Sequence, residues 1–148
     1  MGFTEGSKFP DVTLDYGFPP TPVNMTERLK GKKTIVVGLP GIDEVLIFCV
    51  NDGAVMDAWA KSQKIEGSNL TFLADTRAEL TKALDIVLDH AGVMQVLGNP
   101  RCKRCAYYVE DGTVKLINIS EGPNDPAGDS DPSKSCIDYM LERIDNEC

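Results

Sequence analysis

The stretch that decides the fold is GLPGIDEVLIF, which runs from Gly38 to Phe48. It joins two apolar runs, TIVVG at 34–38 and VLIFCV at 45–50, and each run is typical of a fully buried strand. Parallel neighbours usually need a crossover of a dozen or more residues, most often a helix. The connector here is far shorter, so it allows only a hairpin with Pro40 in its turn, unless a crossover segment of about one helix is missing.

A helix and a third strand are predicted after the second apolar run. Asn51-Asp52 offers an N-cap, and we expect a helix from there to about Lys64. Its expected apolar face consists of Ala54, Val55, Ala58 and Trp59. The short apolar run LTFLA at 70–74 predicts the third strand.

A second helix is expected to begin at Asp75 or Thr76. Thr76 and Glu79 have the spacing of a capping box, in which each side chain satisfies a backbone N–H of the other residue. The apolar positions that follow at helical spacing are Leu80, Ala83, Leu84, Val87 and Leu88. The pattern therefore predicts a helix that continues to the last of these positions.

The C-terminal third predicts an antiparallel hairpin and a closing helix. Asp111-Gly112, between apolar segments at 105–110 and 113–118, is the strongest short-range hairpin signal. A polar loop follows, and then a helix over about 134–143. Alternating strands and helices followed by a hairpin favour an α/β fold with a mixed β-sheet flanked by helices, as in thioredoxin-like folds. We expect one domain over residues 1–148.

Composition limits the classes of partner. A net charge of −8 argues against a nucleic-acid binder and against attraction to an anionic membrane. No apolar run approaches the ~20 residues that span a bilayer. The first ten residues, MGFTEGSKFP, have neither the basic n-region nor the apolar h-region of a signal peptide. We therefore expect a cytoplasmic protein, or an organellar one if a transit peptide has been removed. Five cysteines in such a chain indicate thiol chemistry or buried small side chains rather than a disulfide framework.

Several segments resemble one known family. They are KGKKTIVVGLPG at 30–41, VNDGAVMDAWAK at 50–61, FLADTRAELTKALDI at 72–86 and KRCAYYVEDGTVKLINI at 103–119. In this order they resemble a type II (class five) peroxiredoxin, a thiol peroxidase of the redoxin, thioredoxin-like superfamily. The resemblance implies reduction of hydrogen peroxide and alkyl hydroperoxides without a cofactor. It also implies a peroxide substrate, a reductant that is glutathione with glutaredoxin or thioredoxin, and a homodimer.

The resemblance breaks at the opening stretch. The family's catalytic motif is Pro-x-x-x-Thr-x-x-Cys, and its cysteine attacks the peroxide. This chain keeps Pro40 and Gly41 but continues directly with Ile42, so the peroxidatic cysteine is absent from the sequence. About two dozen residues are missing, which is also the size of the crossover that parallel strands need. If so, the runs at 34–38 and 45–50 are parallel neighbours.

Two further site residues follow from the resemblance. Arg104 matches the family's arginine that hydrogen-bonds the thiolate and the peroxide oxygens. Cys136 lies within about two residues of the place where some members hold the cysteine that resolves the sulfenic acid. The candidate site is therefore Pro40, Arg104 and Cys136, with no metal ligands.

Two other functions stay open. The chain could be a non-catalytic, peroxiredoxin-like binding or dimerisation partner, because the attacking cysteine is absent. It could also be a disulfide reductase that uses Cys102 and Cys105, although residues three apart in a strand point to opposite faces. A zinc site at this pair would need two more ligands, and His90 is the only histidine. Cys49 is interpreted as a buried small hydrophobe.

Overall fold

The structure, a computed structural model, describes residues 3–36 and 43–147. Its strands are β1 Thr13–Tyr16, β2 Thr21–Asn24, β3 Lys33–Val36, β4 Glu44–Cys49, β5 Leu70–Ala74, β6 Val87–Leu88, β7 Arg101–Cys102, β8 Arg104–Glu110 and β9 Thr113–Ser120. Its α-helices are α1 Met25–Leu29, α2 Gly53–Ser62, α3 Glu79–Ala83, α4 Ala91–Leu97 and α5 Ile137–Glu147. No helix within these ranges is long and apolar enough to cross a membrane.

The main sheet is mixed, as the sequence predicts. Its strand order is β2-β1-β5-β4-β3-β8-β9, and β6 and β7 form a separate two-stranded ladder. The three central strands β5, β4 and β3 are parallel to one another, whereas β1 and β8 run antiparallel to their inner neighbours. The continuously apolar sequences of β3 and β4 suit this central position, where both faces of a strand are covered.

The two strands that flank the opening stretch are parallel, which confirms the prediction. Thr34 is paired with Glu44 and Ile35 with Val45. The Asp43 N–H donates to the Lys33 carbonyl over 3.1 Å, so the chain has returned to the start of β3 when β4 begins. A hairpin through Pro40 is therefore wrong. Residues 37–42, which include Pro40 and the Gly41–Ile42 junction, lie outside the described part of the chain.

Helix α2 begins as predicted but buries a different face. The Asp52 side chain accepts a hydrogen bond from the Val55 N–H over 2.9 Å. The buried residues are Gly53 and Met56, whereas Val55 is 45% exposed and Trp59 is 39% exposed. A Cβ atom at Gly53 would lie 2.6 Å from the Gly17 carbonyl oxygen, so the helix start lies directly against the backbone that follows β1. That close approach sets the helix rotation, which a periodicity argument does not contain.

The predicted capping box at Thr76 and Glu79 is wrong. The Thr76 hydroxyl donates instead to Asp15 of β1 over 2.8 Å. The N–H groups at the start of α3 are satisfied by Asp75, which accepts from the N–H of Thr81 over 2.8 Å. A tertiary contact with β1 therefore overrides the local signal, and a buried carboxylate replaces the hydroxyl cap.

The second predicted helix is also shorter than expected. Helix α3 ends at Ala83, and Asp85 has a positive φ of 57° that no α-helix contains. Val87 and Leu88 then form β6, where Val87 pairs with Cys102 and Leu88 with Arg101. Leu80, Leu84 and Ile86 belong to one core cluster, so buried apolar positions continue past the end of α3.

The C-terminal hairpin and closing helix are confirmed. Asp111 and Gly112 both have positive φ, at 46° and 69°, as the tight turn requires. Helix α5 begins later than predicted and runs further, to Glu147. It buries Met140 completely against a cluster on β3, β8 and β9, namely Ile35, Ala106, Tyr108 and Leu116.

Candidate active site: a cysteine cleft

Three cysteines from three different strands line one cleft. The cleft has a volume of about 320 Å³, and its walls include Cys49, Cys102 and Cys105. They lie at the end of β4, at the end of β7 and near the start of β8. Its other walls include Trp59, Leu88, Arg104, Ala127 and Asp129. We call this group of three thiols and its walls the cysteine cleft.

Cys49 and Cys102 interact directly. The Cys102 thiol donates a hydrogen bond to the Cys49 sulfur, and this bond lowers the pKa of Cys49 to about 7. The positive charge of Arg101 lowers the pKa of Cys49 further, whereas burial opposes both effects. The same hydrogen bond and burial raise the pKa of Cys102. The pair therefore holds one thiol that ionises readily beside one that keeps its proton.

Arg101 is positioned by the backbone that follows β4. Its Nη1 donates to the Val50 carbonyl, one residue beyond Cys49. Arg101 also belongs to β7, where it pairs with Leu88 of β6. The short β6–β7 ladder thus brings both the cation and Cys102 to the end of β4.

The third thiol and a tyrosine lie behind this pair. Burial raises the pKa of Cys105 to about 12, so this thiol stays protonated near neutral pH. The Tyr107 hydroxyl is fully buried and lacks a well-formed hydrogen bond to any residue in the described ranges. Burial raises its pKa, and the neighbouring thiols Cys105 and Cys102 act in the same direction. The Cys105 thiol acts as a weak hydrogen-bond partner of this hydroxyl, so the inner wall pairs a buried thiol with a buried tyrosine.

Arg104, the predicted peroxide-binding arginine, is at the rim of the cleft. Its Nη2 donates to Asp129 over 2.7 Å, and the two side chains are 47% and 71% exposed. A surface ion pair of this kind contributes little free energy. The guanidinium group can therefore exchange this carboxylate for another oxygen ligand at small cost.

Cys136, the predicted resolving cysteine, does not line the cleft. Cys136 is exposed and lies between the 3-10 turn Ser133–Ser135 and α5. Pro40 lies outside the described residues. Counted from Pro40, the motif positions for threonine and cysteine are occupied by Glu44 and Ile47 of β4. An attacking thiol must therefore come from a different cysteine.

Sequence reasoning missed Cys49 and misplaced Cys102 and Cys105. The latter two are on different strands, because the chain leaves β7 and enters β8 at Lys103. The rule that side chains of one strand alternate between the two faces of a sheet therefore does not apply to this pair, and both thiols line the same cleft. Cys49 is half-buried rather than sealed in the core. Its position near the end of a predicted parallel strand was a usable signal, because sites lie at the carboxyl ends of such strands.

The three thiols do not form a metal centre. Over residues 3–36 and 43–147, no group of three or more histidine, cysteine, aspartate or glutamate side chains is arranged to hold a metal ion. These residues also contain no disulfide, and Cys49, Cys102, Cys105 and Cys136 are all free thiols. The arrangement can instead ionise one thiol and supply a second thiol within reach.

Comparison with known proteins gives one consistent result. The Redoxin family model matches residues 41–133. Peroxiredoxin-2E-2 of Oryza sativa subsp. japonica, a chloroplastic protein, is 30% identical over 147 residues, which cover 79% of this chain and 64% of that relative. Mitochondrial peroxiredoxin-2F of Arabidopsis thaliana is 30% identical over 140 residues, which cover 78% of this chain and 67% of that relative.

The rice alignment also shows a deficit in this chain. The chain spans under two thirds of that relative's length. The alignment has 147 positions, but only 79% of the residues of this chain take part in it. About 30 aligned positions of the relative therefore have no residue here. This number is similar to the length expected for the missing crossover.

A solved structure matches over almost the whole chain. Reduced Prx3 of Vibrio vulnificus, in complex with H2O2, superposes with a TM-score of 0.79 at 26% identity. The match covers 97% of this chain and 96% of that one. This chain therefore shares its overall fold with a protein whose structure was solved in complex with H2O2.

Proposed function

This chain belongs to the redoxin family as a type II peroxiredoxin with a thioredoxin-like fold, and we propose that it reduces hydroperoxides with electrons from a thiol reductant. The family and the fold confirm the resemblance drawn from the sequence. The activity itself is a proposal, because the chain spans 64% of the rice relative and lacks the cysteine of the family motif.

The observation that carries the proposal is the ionisable thiol of Cys49. Peroxide reduction requires a thiolate, and a thiol with a pKa of about 7 is about half ionised at neutral pH, against a few per cent for an ordinary cysteine. Cys49 is half-buried and lines an open cleft, so a small hydroperoxide can reach it. Cys49 is therefore the best candidate for the attacking residue in this chain.

Arg104 is proposed to bind the peroxide oxygens. It lines the same cleft as Cys49, and its guanidinium group forms an exposed ion pair with Asp129. A guanidinium group stabilises the negative charge that develops on the leaving oxygen. Cys136 stays a candidate resolving cysteine, and it would act from outside the cleft.

The reductant and the compartment are proposals at the same level. Either glutathione with glutaredoxin or thioredoxin could return the oxidised thiol to its reduced form. We propose the cytoplasm as the compartment. An organelle is the alternative, since the rice and Arabidopsis relatives carry chloroplastic and mitochondrial names.

Consumption of hydrogen peroxide and of cumene hydroperoxide under dithiothreitol tests the activity. We expect turnover by the wild-type protein, its loss in Cys49→Ala, and a weaker hydroperoxide affinity in Arg104→Ala. Lys134→Ala is the matched control for charge removal, because Lys134 does not line the cysteine cleft. Absence of turnover under dithiothreitol, glutaredoxin with glutathione, and thioredoxin would reject the proposed activity.

A second function, association with another copy of the chain, is favoured by exposed apolar side chains. Tyr16, at the end of β1, is 51% exposed, and Phe18, in the turn that follows, is 67% exposed. Gly17 of this turn packs on the start of α2, where Val55 is also exposed. Large aromatic side chains of this kind are enriched at interfaces. Light scattering is expected to show a dimer that Phe18→Glu dissociates. A wild-type monomer at high concentration rejects this function.

A further inference from the structure

We infer that Cys49 and Cys102 are a redox pair that closes to a reversible disulfide. The inference rests on the proposed function only for the identity of one oxidant, since any disulfide can oxidise the same pair. It assigns a role to a cysteine, Cys102, that lies outside the family motif.

The first support is the proximity of the two thiols. Both side chains line the same cleft, and Arg101, beside Cys102, donates to the carbonyl of Val50, beside Cys49, so the ends of β4 and β7 lie against each other. A disulfide forms only between cysteines whose side chains point at each other at short range. Cys49 is on β4 and Cys102 is on β7, and the ladder of β6 with β7 holds Cys102 near the end of β4.

The second support is the division of properties between the thiols. Attack on an oxidant is fastest for a thiol whose pKa is near the ambient pH, which describes Cys49. Cys102 is more enclosed and keeps its proton, so it does not compete for the first attack. Cys105 is also protonated and is a buried member of the main core cluster.

The chemistry balances with a hydroperoxide as oxidant. The Cys49 thiolate attacks one peroxide oxygen, the O–O bond breaks, and the other oxygen leaves as an alcohol or water after it takes up a proton. Cys49 is then a sulfenic acid. The Cys102 sulfur attacks the Cys49 sulfur, the S–O bond breaks, and hydroxide leaves with the Cys102 proton as water. Two electrons have moved from two thiols to the peroxide, and an external dithiol returns them.

Peptide mapping under non-reducing conditions tests the pair. The wild-type protein is treated in one arm with hydrogen peroxide and in the other with glutathione disulfide. We expect a cross-link between the Cys49 and Cys102 peptides in both arms, with the loss of two hydrogen atoms from the intact mass. Cys102→Ala is expected to stop at a Cys49 sulfenic acid that dimedone labels. Cys148→Ala is the matched control for the loss of one thiol, and it is expected to cross-link as the wild type does.

The outcomes separate this inference from the proposed function. A cross-link with glutathione disulfide but not with peroxide keeps the pair and rejects the peroxidase. Full peroxide turnover in Cys102→Ala, without a wild-type cross-link, rejects the pair and keeps the peroxidase. A disulfide from Cys49 to Cys105 or Cys136, or none in either arm, also overturns the inference. The wild-type peptide map tests the pair by itself, so the test holds even where the Cys102→Ala protein folds poorly.

Discussion

The Arg28 guanidinium group forms a hydrogen-bonded ion pair with the carboxylate of Glu44, the first residue of β4. Its Nε lies 2.9 and 3.0 Å from the two carboxylate oxygens. The Glu44 side chain is 10% exposed and the Arg28 side chain is 33% exposed. The pair therefore fixes the start of a central strand to α1, immediately after the undescribed residues 37–42.

Loss of Arg28 is expected to destabilise the fold. Arg28→Ala leaves a buried carboxylate without its main partner, and we expect the free energy of unfolding to fall by about 2 kcal/mol after allowance for the exposure of the arginine. The surface pair of Lys61 with Asp57 supplies the control, because Lys61→Ala costs at most about 0.5 kcal/mol. Urea unfolding at neutral pH measures both. Equal costs would contradict the importance given to the Arg28 pair.

The same pair predicts a pH dependence of stability. Burial by itself raises the pKa of Glu44, but the hydrogen bonds and charge of Arg28 outweigh it, and the pKa lies below its ordinary value of 4.5. A lowered folded-state pKa stabilises the protein above the unfolded-state value, and the gain is lost as the pH falls through the folded-state value. Unfolding curves from pH 7 to pH 3 are expected to show a shallower acid limb in Arg28→Ala. An unchanged limb would be inconsistent with this linkage.

Gly128 is expected to tolerate no side chain. Its φ is +73°, and a Cβ atom would lie 1.7 Å from the Ser120 carbonyl oxygen. Gly67 is the matched control, since its φ is +79° with no atom within 4 Å. Gly67→Ala is expected to cost about 1 kcal/mol from backbone strain alone, and Gly128→Ala roughly 2 kcal/mol more from overlap. Similar melting temperatures for the two variants would count against the close approach.

The buried cap at Asp75 gives a third stability prediction. Asp75 is 1% exposed and accepts from the Thr81 N–H and hydroxyl over 2.8 and 2.7 Å. Asp75→Ala leaves these buried donors without an acceptor, so we expect a loss of about 3 kcal/mol. Asp89→Ala removes an exposed carboxylate as the control. If Thr76 were the cap, as the capping-box interpretation holds, Thr76→Ala would lower the free energy of unfolding more than Asp75→Ala does.

Alkylation of the cleft should depend on pH in a residue-specific way. The thiolate fraction of Cys49 rises as the pH passes through about 7, so its labelling by iodoacetamide is expected to be half-maximal there. Cys105, with a pKa of about 12, is expected to stay unlabelled until the protein unfolds. In Cys102→Ala the Cys49 midpoint is expected to move up toward 9.0, because the donated hydrogen bond is lost. A midpoint that stays in place would show that Cys102 does not stabilise the thiolate.

The central strands were predictable because their apolar runs need no tertiary information. The apolar sequences of β3, β4 and β5 suit strands that are covered on both faces, whatever surrounds them. The cap of α3 was not predictable, since Thr76 has a better partner in Asp15, 61 positions earlier in the sequence. The choice between two acceptable partners depends on the fold as a whole.

The candidate site was predictable only in part. Arg104 was found by its match to a family motif and does line the cleft. The pairing of Cys49 with Cys102 was not found, because it depends on the short β6–β7 ladder. Two-residue strands have no periodicity to detect, and the apolar pattern of Val87 and Leu88 fits a helix equally well. Proximity created by such elements becomes visible only in three dimensions.

The parallel pair of β3 and β4 has a kinetic consequence. Thr34 and Glu44 are only ten positions apart, whereas parallel pairings are ordinarily among the most non-local contacts of a sheet. Closing a loop of about ten residues takes on the order of 10–100 ns, and its entropy cost is small. The centre of this sheet can therefore pair early in folding, before the distant β1 and β8 are recruited to its two sides.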